Sequence, residues 1–205
     1  MNDSLAEEML QPLLEHTSSR IIDANSDALV NFSDEELMNV VLTIKWGFDG
    51  SSGHSEYKQI FYGAEGAESD AHIFLTCFVP IRAETSGKIL FENPRPSSTR
   101  YCRPIRIQFV KETAEVSLHE KAYVSQQISN LQPTEILKYG RIIRIEYKML
   151  LTMVDGKICN SVTGTTSSQK CYICNATPAL MNNIDQVKQR KVSGKFKIIC
   201  YRFLE

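Results

Sequence analysis

Two aspartates and one pair of cysteines are the residues in this chain whose type and spacing could do chemistry. Asp49 follows a β-branched and aromatic run, Val40 to Phe48 (VVLTIKWGF), and Asp155 follows a second, Arg141 to Val154 (RIIRIEYKMLLTMV). A glycine comes directly after each. Carboxylates at the ends of two converging strands offer the hard oxygen ligands that Mg²⁺ or Mn²⁺ prefers, with positions left for water and phosphate oxygens. Two such ions about 3.5–4 Å apart activate the attacking oxygen and stabilise the leaving one in a displacement at phosphorus. The plain alternative is that each Asp-Gly only makes a turn. Cys171 and Cys174 have the C-x-x-C spacing of a zinc-ligand pair, and equally that of two ordinary buried thiols. Cys159 or Cys200 could supply a third ligand.

The elements that must position these side chains are read from periodicity. Leu5, Met9, Leu13 and Leu14 fall at helical intervals in a lead-in over Leu5 to Ile22, which Pro12 begins or kinks. Ser33 with Glu36 is a capping-box pattern opening a helix from Asp34 to Val40. Val40 to Phe48 is apolar on both faces, as a buried central strand is. The Gly- and Ser-rich segment from Ser51 to Asp70 reads as a loop. Strands follow at His72 to Ile81 and Ile105 to Val110, with a short piece at Lys88 to Glu92 and a proline-rich connection from Asn93 to Pro104. Val116 to Leu131 is an amphipathic helix with Pro133 just beyond its end, and Arg141 to Val154 is a long strand. The order is strand ending in Asp, strand, strand, helix, strand ending in Asp. That is the opening order of an RNase H-like fold, in which the first and fourth strands lie side by side.

Composition bounds the reading. The chain has 205 residues, 42% of them hydrophobic, with 23 basic against 24 acidic side chains, enough for one moderate core. The charge balance lacks the basic excess of a free-standing nucleic-acid binder. No stretch approaches the roughly 18 apolar residues needed to cross a bilayer, and the acidic start has no signal-peptide pattern, so a soluble intracellular protein with mostly free thiols is expected. Arg141, Arg144 and Lys148 alternate with apolar residues, either as a solvated strand face or as contacts to a DNA backbone. His54, His72 and His119 need no role.

Several stretches around the aspartates resemble the catalytic core of the V(D)J recombination-activating protein's DNA-cutting subunit and of Transib transposases. Leu10 to Thr17 (LQPLLEHT) resembles the helical segment ahead of that core, and Ile44 to Ser55 (IKWGFDGSSGHS) its first catalytic strand. Phe91 to Pro104 (FENPRPSSTRYCRP) is similar to a family segment of pattern Phe-Glu-x-Pro-x-Pro-x-Ser followed by Cys, a basic residue and Pro. Val154 to Lys157 and then Cys171 to Cys174 resemble the second catalytic aspartate and a zinc-binding cysteine pair. The likeness spans about residues 5 to 185.

The resemblance implies an α/β fold with an incomplete RNase H-like mixed sheet and a helical N-terminal lead-in. It divides the chain into a pre-core segment (1–39), the first half of the RNase H-like domain (40–157), the start of a zinc-associated insertion (158–187) and an unmatched basic and apolar tail (188–205). It makes Asp49 and Asp155 catalytic metal ligands for Mg²⁺ or Mn²⁺, and Cys171 and Cys174 half of a Zn²⁺ site. It implies metal-dependent nicking of double-stranded DNA and strand transfer by the freed 3′ hydroxyl, in the nucleus, by a homodimer. The family also uses a downstream glutamate and two downstream histidines. No counterpart of that glutamate is found and no histidine follows His119, so a fragment inactive alone is expected. The rival reading is a domesticated DNA- or protein-binding module without chemistry.

Overall fold

The computed structural model describes residues 5–52, 72–165, 167 and 169–191. His54, Cys200, most of the Gly- and Ser-rich loop and the C-terminal apolar run lie outside the described residues. The architecture is mixed α/β: a curled seven-stranded mixed sheet with helices. The strands are β1 (Leu5–Glu7), β2 (Val40–Ser52), β3 (His72–Thr85), β4 (Lys88–Glu92), β5 (Arg103–Gln108), β6 (Thr134–Lys138) and β7 (Arg141–Leu151). Their order is β1-β5-β3-β2-β7-β6, with β4 paired to β3. Among the described residues only β2 and β7 pair in parallel.

The helices are α1 (Leu10–Ala24), α2 (Asp34–Leu37), α3 (Ala114–Ser129), α4 (Gly156–Thr163), α5 (Pro178–Met181) and α6 (Ile184–Lys188). Helix α1 begins at Leu10, so Pro12 sits in its first turn, where a missing N–H costs nothing. Residues 5–7, expected to be helical, instead pair antiparallel with β5. The Ser33 capping box forms on both sides, but α2 is only four residues long. Strand β3 runs four residues past its expected end and returns into β4 through Ser86 and Gly87, both at positive φ.

One core joins these parts. On β2 the even residues Val40, Leu42, Ile44, Trp46 and Phe48 are buried, while Val41, Thr43 and Lys45 are half-buried. The strand therefore alternates rather than being apolar on both sides. Its buried face packs with Leu10, Leu14 and Ile22 of α1, Phe74 and Phe78 of β3, Val124 of α3 and Ile143 and Ile145 of β7. The N-terminal segment thus shares the core of the sheet.

Helix α3 is fixed to the sheet by a buried polar network as well as by apolar packing. Glu120, 1% exposed, accepts hydrogen bonds from Thr76 Oγ1 at 2.6 Å, Arg106 Nη1 at 3.0 Å and Gln108 Nε2 at 3.1 Å. A buried carboxylate with three donors, one of them a guanidinium, has its hydrogen-bonding capacity met. Arg141 is similarly occupied. Its guanidinium bonds Asp34 and the carbonyls of Leu29 and Phe32, which ties β7 to the segment ahead of β2. Arg144 pairs with Glu146 at 2.9 Å.

Candidate acidic site

Asp49 does not end its strand. β2 continues through Ser52 in register with β3, while its pairing to β7 stops at Trp46. Asp49 therefore projects from a stretch held on one side only. On the other side the chain leaves β7 at Leu151 and crosses over β2: the N–H groups of Thr152 and Met153 both donate to the Trp46 carbonyl, each at 3.1 Å. Gly47 makes this crossing possible, because a Cβ there would lie 1.9 Å from the Met153 carbonyl oxygen. The crossing delivers Asp155 to the neighbourhood of Asp49.

Asp155 is neither a strand end nor a simple turn. It is the N-cap of α4, its Oδ1 accepting the Ile158 N–H at 2.7 Å. The carboxylate thereby satisfies one of the helix's open donors and lies at the positive end of its dipole. Both aspartates are exposed to solvent.

A third carboxylate, not expected from the sequence, joins them. Glu112 follows β5, and its Oε2 accepts the Gly50 N–H at 3.2 Å. A Cβ on Gly50 would come within 2.4 Å of the Glu112 Cβ. The two glycines around Asp49 thus each admit a segment bearing another acid: Gly47 the approach to Asp155, Gly50 that of Glu112.

Electrostatics register the clustering. The Asp49 carboxyl is pushed above its usual range, first by partial desolvation, then by the negative charges of Asp155 and Glu112; the Gly50 N–H and Lys157 act in the opposite sense. Lys157, in the first turn of α4, pairs with Glu112 at 2.7 Å. Its ammonium pKa is raised, chiefly by that hydrogen bond, with smaller contributions from Asp155 and Asp49. Three carboxylates therefore share one lysine cation. Among the described residues no group of three His, Cys, Asp or Glu side chains is arranged to hold a metal ion.

The cysteine pair lies in a tight turn after α4. The Asn175 N–H donates to the Cys171 carbonyl at 2.7 Å, and the Cys171 N–H to the Ala176 carbonyl at 2.9 Å. Burial works against the Cys171 thiolate, but N–H groups of Cys174 and Ile173 and the Cys174 thiol bond the sulfur, and the net effect lowers its pKa. Cys77 behaves oppositely. Burial, then the neighbouring Cys102 thiol, push it up to about 12, as suits a structural thiol. His72 begins β3, and His119 is exposed on α3.

No family model matches the chain, and no curated protein matches it. No helix among the described residues is long and apolar enough to cross a membrane.

Proposed function

We propose that this chain is the part of a metal-dependent DNA recombinase or transposase core that supplies two carboxylate ligands for catalysis at phosphorus. The supporting observation is that Asp49 and Asp155, over a hundred residues apart in sequence, lie near enough beyond the parallel β2–β7 pairing for the charge of Asp155 to help raise the Asp49 pKa. The strand order β5-β3-β2-β7, with β7 alone parallel to β2, is compatible with an RNase H-like sheet.

The donor chemistry fits a hard divalent ion. Mg²⁺ is commonly held by one or two carboxylates and keeps water and phosphate oxygens as its other ligands, which suits two exposed aspartates better than a closed cage. The upward shift of Asp49 comes first from partial desolvation and then from the negative charges of Asp155 and Glu112, and a cation relieves the second part. When bound, a divalent ion there supplies Lewis acidity toward a phosphate oxygen. Asp49 and Asp155 hold it. Glu112 positions the Gly50 backbone beside Asp49, and Lys157 balances charge until the cation enters. Cys171 and Cys174, with N–H groups directed at sulfur, fit two of the four ligands of a structural Zn²⁺.

The test is a Mn²⁺ titration of the whole chain followed by electron paramagnetic resonance. Weak binding by the native protein and its loss in Asp49→Asn and Asp155→Asn are expected, without nicking of duplex DNA. Binding that persists in the double variant sinks the site. Mn²⁺-dependent nicking by this chain alone overturns the expectation that it is inactive alone.

The second reading, a binding module without chemistry, is favoured by one observation: Lys157 already partly neutralises the carboxylates. It expects no Mn²⁺ binding at all.

A further inference from the structure

Beside the acidic site, between α4 and the cysteine turn, lies an open cleft of about 830 Å³. That is within the roughly 300–1,000 Å³ of small-ligand sites. Its walls continue those of the acidic site: Gly156 and Lys157 directly follow Asp155, and Ala114 comes two residues after Glu112. Lys170 and Tyr172 also line the cleft. Lys170 is exposed and makes no ion pair among the described residues. The polar side chains of Asn160 and Ser161 lie on the α4 wall.

A cation and an aromatic ring lining one cleft beside a site for phosphorus chemistry match a single nucleic-acid strand. Such strands are held by basic groups along the phosphates and by rings on which bases stack. We propose that this cleft takes one or two unpaired nucleotides of the strand next to the reacting phosphate, with Lys170 on a phosphate and Tyr172 against a base. The overall charge of −1 makes the affinity local, carried by this cleft rather than by a general basic field. The inference rests on the reading of the acidic site as one that acts on nucleic acid, but binding in the cleft needs no metal.

The test uses the full chain and fluorescein-labelled dT8 and rU8 in EDTA, with fluorescence anisotropy as readout. Binding of at least one oligonucleotide is expected, and a preference between them reports the sugar. Tyr172→Ala should weaken it roughly 5- to 100-fold, as loss of one base stack does. Lys170→Glu should weaken it and flatten its dependence on salt by about one phosphate contact. Leu137→Ser, 73% exposed on the edge strand β6 and outside the cleft, should leave it intact. Absence of binding by the native chain, or binding by Tyr172→Ala and Lys170→Glu as tight as that of the native chain, overturns the cleft. Mn²⁺ binding that Asp49→Asn does not reduce, together with oligonucleotide binding by the native chain, overturns the acidic site and leaves the cleft standing.

Discussion

Lys157 Nζ lies 2.7 Å from Glu112 Oε1, and the same ammonium sits in the field of Asp155 and Asp49. An internal cation therefore occupies the place where a divalent ion would be drawn. Removing it should favour the external one. Lys157→Ala is expected to tighten Mn²⁺ binding about two- to fivefold, the scale of an exposed ion pair. Isothermal titration of both proteins decides it, and weaker binding in the variant would show that the lysine helps hold the site open.

The glycines flanking Asp49 give a steric prediction. Gly47→Ala places a methyl group against the Met153 carbonyl, and Gly50→Ala places one against the Glu112 side chain. Overpacking of this kind costs about 1–3 kcal/mol, and the backbone contact at Gly47 should be the worse because a carbonyl cannot rotate away as a side chain can. Urea denaturation of the two variants should rank them in that order.

The Asp49 carboxyl yields a prediction in pH. Its folded pKa is raised above the ordinary 3.8, so the folded state binds the proton more tightly than the unfolded chain. The ionised form is then a penalty on stability at neutral pH, relieved as pH falls through the elevated folded value toward 3.8. Asp49→Asn is expected to melt at a higher temperature than the native chain at pH 7.5, with the gap narrowing in acid. A gap that widens in acid would reverse the sign of the shift.

Glu120 is the strongest single polar anchor of α3. Glu120→Ala leaves Arg106, whose side chain is 13% exposed, without its closest partner, a loss of about 3–5 kcal/mol for a broken buried pair. Glu120→Gln keeps an acceptor for Thr76 and should cost less. Equal midpoints for the two variants in chemical denaturation would mean that packing, and not charge, carries the anchor.

The sequence makes the longer elements legible because their signals are local. The runs at Val40 and His72, the capping box at Ser33 and the helix expected at Val116 to Leu131, found at Ala114–Ser129, all appear within a few residues of where the local pattern puts them. Short elements fixed by partners do not announce themselves. β1 is three residues held by β5, and β6 is five residues whose order comes from the hairpin with β7. Helix α4 had a readable start, since Asp155 precedes Ile158, Cys159 and Val162 at helical spacing; the following glycine masks it as a turn. Glu112 carries no pattern. Its place depends on the contact with Gly50, a relationship between strands that no single-sequence window contains.

The parallel pairing of β2 with β7 also sets a timetable. Residues 40–46 wait for residues 145–151, so a loop of about a hundred residues must close before the pair rewards it, and such distant contacts slow folding. While the chain is being made, β2 can zip onto β3 as soon as both have emerged, and the core around Phe48 and Phe74 can begin to form. Asp49 has no Asp155 beside it until β7 docks. A nascent chain can therefore acquire the β2–β3 part of its packing before its acidic pair, and the charge cluster assembles together with the part of the core that Ile143 and Ile145 of β7 complete.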